Sequence, residues 1–469
     1  MKPLNLTPDA PWRARFHAAT INFAVMAPAN PARGLVSTNR DGIHQLYAWE
    51  VATGELRQLT HVATGKPRGY ISADGQWIYY HNDEAGNEIG HYVRVPFEGG
   101  QPQDITPEMP PYSSFLLSQA ASGRVIGFMA AVDGGFGIYT LAEGAAPRLL
   151  ARFSQLCYGP CLSHNGEIAV VETGERTGTL DRSLAAYDVA SGQPIAELWD
   201  GEGITHSFGP FSPLPGDTRL LATSTRTGFD RPLIWNPRTG ERLDLPLDGI
   251  PGDVTAWDWS PDGERILLCQ IHQAQFQLYL YTVATGQVTR LNHPAGVIGN
   301  GFSDSYGGYF TPQGELYVTW SDSVQPARLV ALDGVTGDLK RTVLSAREVP
   351  AGRKWRSVSF PSTDGVTIQG WLGTPEGDGP FPTILETHGG PTAVMNEYFT
   401  PSAQAWIDHG FAYLTINYRG STTFGKDFEK AIWGRLGSVE VDDMAAARDW
   451  LVSEGIAQAD SILITGWSY

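Results

Sequence analysis

The sequence predicts an all-β propeller of seven blades followed by an incomplete α/β domain. A repeated turn motif runs through the first two thirds of the 469 residues, and strands alternate with helices in the last third. The chain has 54 glycines and 32 prolines beside 14 tryptophans and 18 tyrosines, which is typical of short aromatic-rich strands joined by many turns. Because this length exceeds one ordinary core, more than one domain is expected.

The first repeated signal is a turn with a small or polar residue next to glycine. Its copies lie about 45 residues apart on average, a spacing typical of propeller blades. The two clearest copies are Ser72–Gly75 and Ser260–Gly263, each followed by an apolar strand. Weaker copies bring the total to seven: Arg40–Gly42, Ala121–Gly123, Ser163–Gly166, Pro215–Asp217 and Thr311–Gly314.

A second signal closes several of these units: a strand, a tight glycine turn and another strand. It is found at Ala48–Thr60, Tyr187–Gly192, Trp235–Gly240 and Tyr281–Leu291. We interpret it as a hairpin in the outer part of a blade, since such a turn needs glycine at positive φ. Radial packing then covers both faces of each four-stranded sheet. The alternative, two β-sandwich domains, requires both signals to recur in one order by coincidence.

After about residue 347 the pattern changes. Two strands come first, Trp355–Phe360 and Thr367–Leu372, and strands then alternate with helices, which predicts a mostly parallel sheet. One helix is predicted at 402–408, and another at 439–454 has Val441, Met444, Ala447 and Leu451 on one face. The strands that alternate with these helices are predicted at Thr383–Thr387, Ala412–Asn417 and Ser461–Thr465.

Three short motifs follow three of these strands, at the edge where open α/β sheets place their chemistry. They are His388–Pro391, Asn417–Ser421 and Gly466–Tyr469. The last matches the first four letters of G-x-S-x-G, the nucleophile elbow of α/β-hydrolases, in which serine sits on a strained strand-to-helix turn. Glycines after the earlier strand let a backbone N–H approach a developing oxyanion.

These motifs, together with Arg435–Asp443, resemble the prolyl oligopeptidase family of serine peptidases, especially its dipeptidyl-peptidase and acylaminoacyl-peptidase branches. The resemblance implies an N-terminal extension (1–22), a seven-bladed propeller (23–347) and the N-terminal part of an α/β-hydrolase catalytic domain (348–469). It also implies that Trp12, Arg15 and Phe16 of the extension pack back on the hydrolase domain.

The resemblance further implies roles for individual residues. Ser468 would attack the scissile carbonyl, and the backbone N–H groups of Tyr469 and Gly389 would hold the oxyanion. Arg419 is a candidate for substrate binding, with a structural salt bridge as an equal alternative. The propeller would sit over the active site and admit only short peptides.

In α/β-hydrolases the catalytic triad follows the chain order Ser, Asp, His. No aspartate or histidine follows Ser468 in this sequence, and His388 and His409 lie in loops before it. We therefore expect residues 1–469 alone to be inactive as a peptidase. The alternative function is a non-catalytic propeller that binds peptides or proteins.

The dipeptidyl-peptidase branch recognises a free N-terminus with paired glutamates. The nearest acidic stretch here is Asp83–Glu88, which we interpret as a solvated turn in a blade hairpin.

Composition excludes several other classes. The net charge of −17 argues against a nucleic-acid partner. No run reaches the roughly 18 apolar residues of a membrane span, and no secretory signal is recognisable. Three cysteines give no disulfide framework, so a cytoplasmic location is expected.

No metal spacing or cofactor fingerprint is found, so neither group is expected. Short peptides are the expected partners, and homo-oligomer formation stays open.

Overall fold

The computed structural model describes residues 5–142, 144–299 and 307–468. A short helix, α1 (Pro11–Phe16), precedes seven antiparallel sheets, each built from strands that are consecutive in the chain. These sheets are the seven blades, as the repeated turns predict.

The strands of the first four blades are β1 (Ile21–Ala27), β2 (Asn30–Thr38), β3 (Gln45–Glu50), β4 (Glu55–Gln58), β5 (Tyr70–Ile71), β6 (Trp77–Asp83), β7 (Gly90–Pro96), β8 (Gln103–Asp104), β9 (Leu117–Gln119), β10 (Val125–Val132), β11 (Gly135–Ala142), β12 (Arg148–Phe153), β13 (Cys157–Leu162), β14 (Ile168–Thr173), β15 (Ser183–Asp188) and β16 (Pro194–Leu198).

The strands of the last three blades are β17 (His206–Phe211), β18 (Leu220–Ser224), β19 (Arg231–Trp235), β20 (Arg242–Asp244), β21 (Asp253–Trp259), β22 (Arg265–His272), β23 (Gln275–Thr282), β24 (Gln287–Arg290), β25 (Val297–Ile298), β26 (Gly308–Phe310), β27 (Leu316–Ser321), β28 (Arg328–Leu332) and β29 (Leu339–Leu344). In blade 7 both short strands, β25 and β26, pair with β27.

The two turn signals occupy the predicted places within a blade. The turn at Ser72–Gly75 joins the first two strands of blade 2, and the glycine turn ending at Gly54 joins the last two strands of blade 1. Both Gly54 and Gly75 have φ values above +70°, which is the left-handed conformation that favours glycine. The interpretation of the second signal as an outer hairpin is therefore confirmed.

Blade 7 meets blade 1 through side-chain packing and a backbone hydrogen bond from the N–H of Ile21 to the carbonyl oxygen of Ala327 at 3.2 Å. In the described residues neither sheet borrows a strand from the other. Trp49, Val36 and Ile21 of blade 1 share one buried cluster with Leu329 and Tyr317 of blade 7. The large fully buried ring of Trp49 makes it a main contributor to this contact.

The C-terminal domain is a five-stranded sheet with helices against it. Its elements are β30 (Arg356–Pro361), β31 (Thr367–Gly373), β32 (Phe381–Thr387), α2 (Pro401–Asp408), β33 (Ala412–Asn417), α3 (Lys426–Lys430), α4 (Val439–Ser453) and β34 (Ala457–Gly466). The strand order is β30-β31-β33-β32-β34. The prediction of a parallel sheet is confirmed for the three strands that alternate with helices, since β32 pairs in parallel with both β33 and β34. The two strands that come first are antiparallel, because β31 pairs in this way with both β30 and β33. The hairpin of β30 and β31 forms one edge of the five-stranded sheet.

Helix α4 faces the sheet at three of the four positions that its apolar pattern predicts, since Ala447 and Leu451 are buried and Met444 packs against the same cluster. The fourth position, Val441, is wrong. Val441 is 51% exposed, whereas Val439, Ala447 and Leu451 are buried at a spacing of four residues. The fourth member of this stripe is Asp443, which is fully buried. A charged residue in the buried stripe explains why the pattern selects the wrong neighbour.

The C-terminal domain also contacts helix α1 and the propeller. Arg15 donates two hydrogen bonds to the carboxylate of Asp408, at 2.6 and 2.8 Å, and the rings of Trp12 and His409 meet edge to face at 4.9 Å. The predicted contacts of Trp12 and Arg15 with this domain are confirmed, while Phe16 is 45% exposed and its ring contacts His17.

Within the described ranges, no helix combines the length and apolar character required to cross a membrane.

Trp49→Ala should lower the free energy of unfolding by about 3–5 kcal/mol, because it empties a fully buried ring site between blades 7 and 1. Urea unfolding followed by tryptophan fluorescence and circular dichroism measures this change. Trp199→Ala is the matched control: that ring is 37% exposed and stacks on Arg176, so its loss should cost below about 1 kcal/mol. Equal costs for the two variants would contradict the assigned role of Trp49.

Candidate active site

Strand pairing brings the three motifs to one edge of the C-terminal sheet. Strand β32 lies between β33 and β34 and runs parallel to both, with Thr387 opposite Ile416 on one side and Gly466 on the other. The residues that follow each strand therefore emerge side by side. Sequence reasoning placed the motifs at this edge, and the structure brings them together.

Ser468 has the backbone conformation of a nucleophile elbow. Its φ of +70° is in the left-handed region, which costs a residue with a side chain about 1–2 kcal/mol. Just before the turn, a Cβ on Gly466 would lie 2.6 Å from Thr387 Oγ1, so a larger residue does not fit there. Trp467 projects outward and is 82% exposed.

Gly389 places its backbone directly against Ser468. A Cβ at position 389 would lie 2.7 Å from the carbonyl oxygen of Trp467 and 2.8 Å from Ser468 Cβ. Only glycine permits this approach, because real Cβ atoms do not come so close to other heavy atoms. The loop after β32 and the turn at Ser468 are thus in direct contact.

The side chain of His388 supports this loop through hydrogen bonds and ring stacking. Its Nδ1 lies 2.7 Å from the carbonyl oxygen of Gly389 and its Nε2 lies 2.8 Å from Ser421 Oγ. Its ring stacks on Tyr418 at 4.3 Å, and the Tyr418 hydroxyl donates to the His388 carbonyl oxygen at 2.6 Å. Burial lowers the pKa of His388, which favours the neutral imidazole.

These residues belong to the sequence motifs, but the motifs alone do not predict that they support the loop. Their positions in the sequence do indicate a contact between the two loops. His388 precedes the glycine pair, and Tyr418 and Ser421 belong to the next motif along the sheet edge. In the part of the chain that the structure describes, no histidine nitrogen is hydrogen-bonded to Ser468 Oγ.

Arg419 is 4% exposed, and its donors point into the protein. Its guanidinium donates to Asp443 at 2.7 and 3.1 Å and also binds Asp364, and its backbone N–H donates to Asp443 at 2.9 Å. The hydroxyl of Ser362 donates to Asp443 at 2.6 Å. Hydrogen bonds to Asp443 raise the pKa of Arg419, so the guanidinium stays charged. This geometry is that of the salt bridge we named as the alternative to substrate binding.

Two further candidates from the sequence are Tyr469 and the acidic stretch Asp83–Glu88. Tyr469, the second predicted oxyanion donor, is outside the described residues. In the acidic stretch Asp83–Glu88, Asp83 pairs with Lys66, while Glu84 and Glu88 are exposed in the loop between β6 and β7. The described ranges contain no group of three or more His, Cys, Asp or Glu side chains arranged to hold a metal ion.

This chain combines a propeller with a sheet that carries a serine turn, and this combination is that of propeller-containing proteins with a hydrolase fold. Residues 397–469 match the model of the prolyl oligopeptidase family. The resemblance to that family, predicted from the motifs, is therefore confirmed.

Relatives and solved structures agree with this family. The chain is 32% identical over 166 residues to dipeptidyl aminopeptidase BIII of Pseudoxanthomonas mexicana, covering 32% of this chain and 24% of that protein. It is 33% identical over 88 residues to acylamino-acid-releasing enzyme 1 of Oryza sativa subsp. japonica, covering 19% of this chain and 11% of that protein. The matched segments thus span a quarter or less of these relatives.

The fold similarity extends over nearly the whole chain. A puromycin-hydrolysing peptidase of Mycobacterium tuberculosis superposes with a TM-score of 0.77 at 17% identity, over 98% of this chain and 75% of that one. A prolyl endopeptidase superposes with a TM-score of 0.78 at 15% identity, over 97% of this chain and 70% of that one. At such identities the likeness concerns the fold alone.

Asp443→Asn should lower the free energy of unfolding of the C-terminal domain by about 3–5 kcal/mol, because it leaves the buried Arg419 guanidinium without its main partner. Thermal unfolding followed by circular dichroism measures the effect. Asp442→Asn makes the same chemical change at the exposed neighbouring position in the first turn of α4, so its cost should stay below about 1 kcal/mol. Similar losses for both variants would show that the ion pair is not the cause.

Proposed function

We propose that this protein is a serine peptidase that hydrolyses short peptides through an acyl-enzyme, with Ser468 as the nucleophile. The observation that carries the proposal is the left-handed turn at Ser468 with the backbone of Gly389 packed against it. A strained turn exposes the hydroxyl at the sheet edge, and a loop without a Cβ lets backbone N–H groups reach a developing oxyanion.

In the proposed reaction, Ser468 Oγ attacks the peptide carbonyl carbon while its proton passes to a histidine. The negative charge on the carbonyl oxygen is held by the backbone N–H groups of Gly389 and Tyr469. Collapse of this intermediate breaks the C–N bond, the amine leaves with the proton, and water then hydrolyses the ester. Arg419 acts in this scheme by bracing the loop after β33 through Asp443.

The histidine base and its aspartate are proposed to come from outside the described residues. Both ring nitrogens of His388 are occupied by Gly389 and Ser421, and burial keeps that imidazole neutral. His409 is likewise held, with Nδ1 at 2.5 Å from the carbonyl oxygen of Ala405. We therefore propose that residues 1–469 alone have little peptidase activity.

The proposed substrate class follows from two supports. The matched relatives are named as a dipeptidyl aminopeptidase and an acylamino-acid-releasing enzyme. The propeller packs against the C-terminal domain through the loops of blades 5 and 6, and a ring of blades at this position limits the size of what enters. Three free cysteines, Cys157, Cys161 and Cys269, support a reducing compartment such as the cytoplasm.

A fluorophosphonate probe tests the nucleophile. We expect the 469-residue polypeptide to react at least about 10⁴-fold more slowly than dipeptidyl aminopeptidase BIII, because loss of the base removes most of the rate enhancement. Mass spectrometry should locate the residual label on Ser468, and Ser468→Ala should abolish it. Ser461→Ala, a serine on the strand before the turn, is the control and should leave labelling unchanged.

Labelling at another residue would overturn the role of Ser468. Labelling as fast as that of the relative would show that a base lies within these 469 residues. If peptides bind while Ser468 never reacts, the alternative of a non-catalytic binding propeller is supported instead.

A further inference from the structure

The loop after β32, residues 388–400, contains no helix or strand. Its backbone groups therefore depend on side chains of other elements for hydrogen-bond partners. Gly389, the proposed oxyanion donor, lies near the start of this loop and is followed by Gly390, which has a φ of +126°. Because two consecutive glycines give the backbone wide freedom, the loop must be held on both sides of them to keep Gly389 in place.

The side before the glycines is held by the motif at the end of β33. The Tyr418 hydroxyl donates to the carbonyl oxygen of His388 at 2.6 Å, and Ser421 Oγ lies 2.8 Å from His388 Nε2. These contacts fix the residue that immediately precedes Gly389.

The side after the glycines is held by Asn417, the first residue of the same motif. Its Oδ1 accepts a hydrogen bond from the backbone N–H of Met395 at 2.7 Å, and its Nδ2 donates to the carbonyl oxygen of Met395 at 3.0 Å. The amide thus binds Met395 as a neighbouring strand would, with one donor and one acceptor. An ionised aspartate lacks the donor and a glutamine is one methylene longer, so asparagine suits this position.

Neighbouring side chains hold the Asn417 amide in this orientation. Gln369 lies opposite Asn417 in the pairing of β31 with β33, and its Oε1 accepts a second hydrogen bond from Asn417 Nδ2 at 2.6 Å. Trp371 Nε1 donates to the carbonyl oxygen of Met395 at 3.0 Å. Asn417 is fully buried and Gln369 is 5% exposed, so water does not compete for these bonds.

The glycine of the motif leaves room for the loop. Gly420 has a φ of +113°, and a Cβ at this position would lie 3.1 Å from Pro391 Cβ, which is closer than most real Cβ contacts. Arg419, in contrast, is directed to Asp443. The other four residues of Asn417–Ser421 thus form a template for the loop that contains Gly389.

We propose that Asn417 is a positioning residue for the proposed reaction. Together with Tyr418 and Ser421, it clamps residues 388–395 at both ends and so fixes Gly389 against Ser468. Without the bonds at Met395 the loop moves, and the oxyanion loses a pre-organised donor. The role at the oxyanion rests on the proposed function, whereas the clamp itself does not.

Hydrogen–deuterium exchange of residues 389–395 in the 469-residue chain tests the clamp. Asn417→Leu removes both the donor and the acceptor at nearly constant volume, so protection of this segment at about pH 5 should fall at least about tenfold. Asn417→Asp should keep protection within about threefold of the unmodified chain at the same pH. Burial raises the pKa of a carboxyl group, and its protonated form offers one donor and one acceptor, as the amide does.

Thr415→Val is the matched control, because it changes a fully buried polar residue of the same strand that makes no hydrogen bond to residues 388–400 in the described ranges. It should leave protection of residues 389–395 unchanged. Exchange in β32 reports whether the C-terminal domain of each variant is folded. If Asn417→Leu is not folded, Trp371→Phe removes the other side-chain donor to Met395 and should lower protection at least about threefold.

Unchanged protection of residues 389–395 in folded Asn417→Leu, or in Trp371→Phe where that variant replaces it, would overturn the clamp. A loss of the same size in Thr415→Val would also overturn it, since it would show a general loosening of β33.

Labelling of Ser468 by a fluorophosphonate measures the effect on the oxyanion site. Per folded molecule, Asn417→Leu should react at least about tenfold more slowly than Thr415→Val, because a misplaced donor no longer stabilises the developing charge. Equal rates, with protection lost in Asn417→Leu alone, would refute the positioning role. If Ser468 does not react even in the unmodified chain, the proposed function fails and the positioning role fails with it, whereas the exchange experiment decides the clamp separately.

Discussion

The candidate site depends on the parallel register of β32 with β34. This register places Thr387 opposite Gly466, so the loop that contains Gly389 and the turn that contains Ser468 leave the sheet side by side. The missing Cβ atoms at 389 and 466 then permit an approach that no other residue allows. A shift of either strand would separate the serine hydroxyl from the loop, because neighbouring residues of a strand point to opposite faces.

Buried polar groups hold the backbone that this register brings together. His388 and Tyr418 fix the loop after β32, and the ion pair of Arg419 with Asp443 ties the loop after β33 to helix α4. Each of these groups has its hydrogen-bond partners, as polar groups in a low-dielectric interior must. In the proposed reaction, such networks would hold the backbone donors in place, and electrostatic catalysis gains most from donors that need no rearrangement.

The propeller and the C-terminal domain meet in contacts of two kinds. Near the chain entry to the domain, Arg15 of helix α1 binds Asp408, and Gln404 donates to the carbonyl oxygen of Ser323 in blade 7 at 2.8 Å. Farther along, the backbone N–H of Lys426 donates to the carbonyl oxygen of Gly228 in blade 5 at 3.0 Å, and that of Gln273 in blade 6 donates to the carbonyl oxygen of Thr423 at 3.3 Å. The contacts near the chain entry are thus made by side chains, whereas those with blades 5 and 6 are made largely by backbone groups.

The sequence by itself determined the seven blades, the outer hairpins, the helix that begins at Val439 and the three motifs at one sheet edge, because turn chemistry and hydrophobic period are local. Tertiary structure decided the mixed strand order, the burial of Asp443 in α4 and the partners of Arg419. Asp443 illustrates the reason: its burial depends on a guanidinium 24 residues earlier in the chain, and no local pattern records a contact between distant positions.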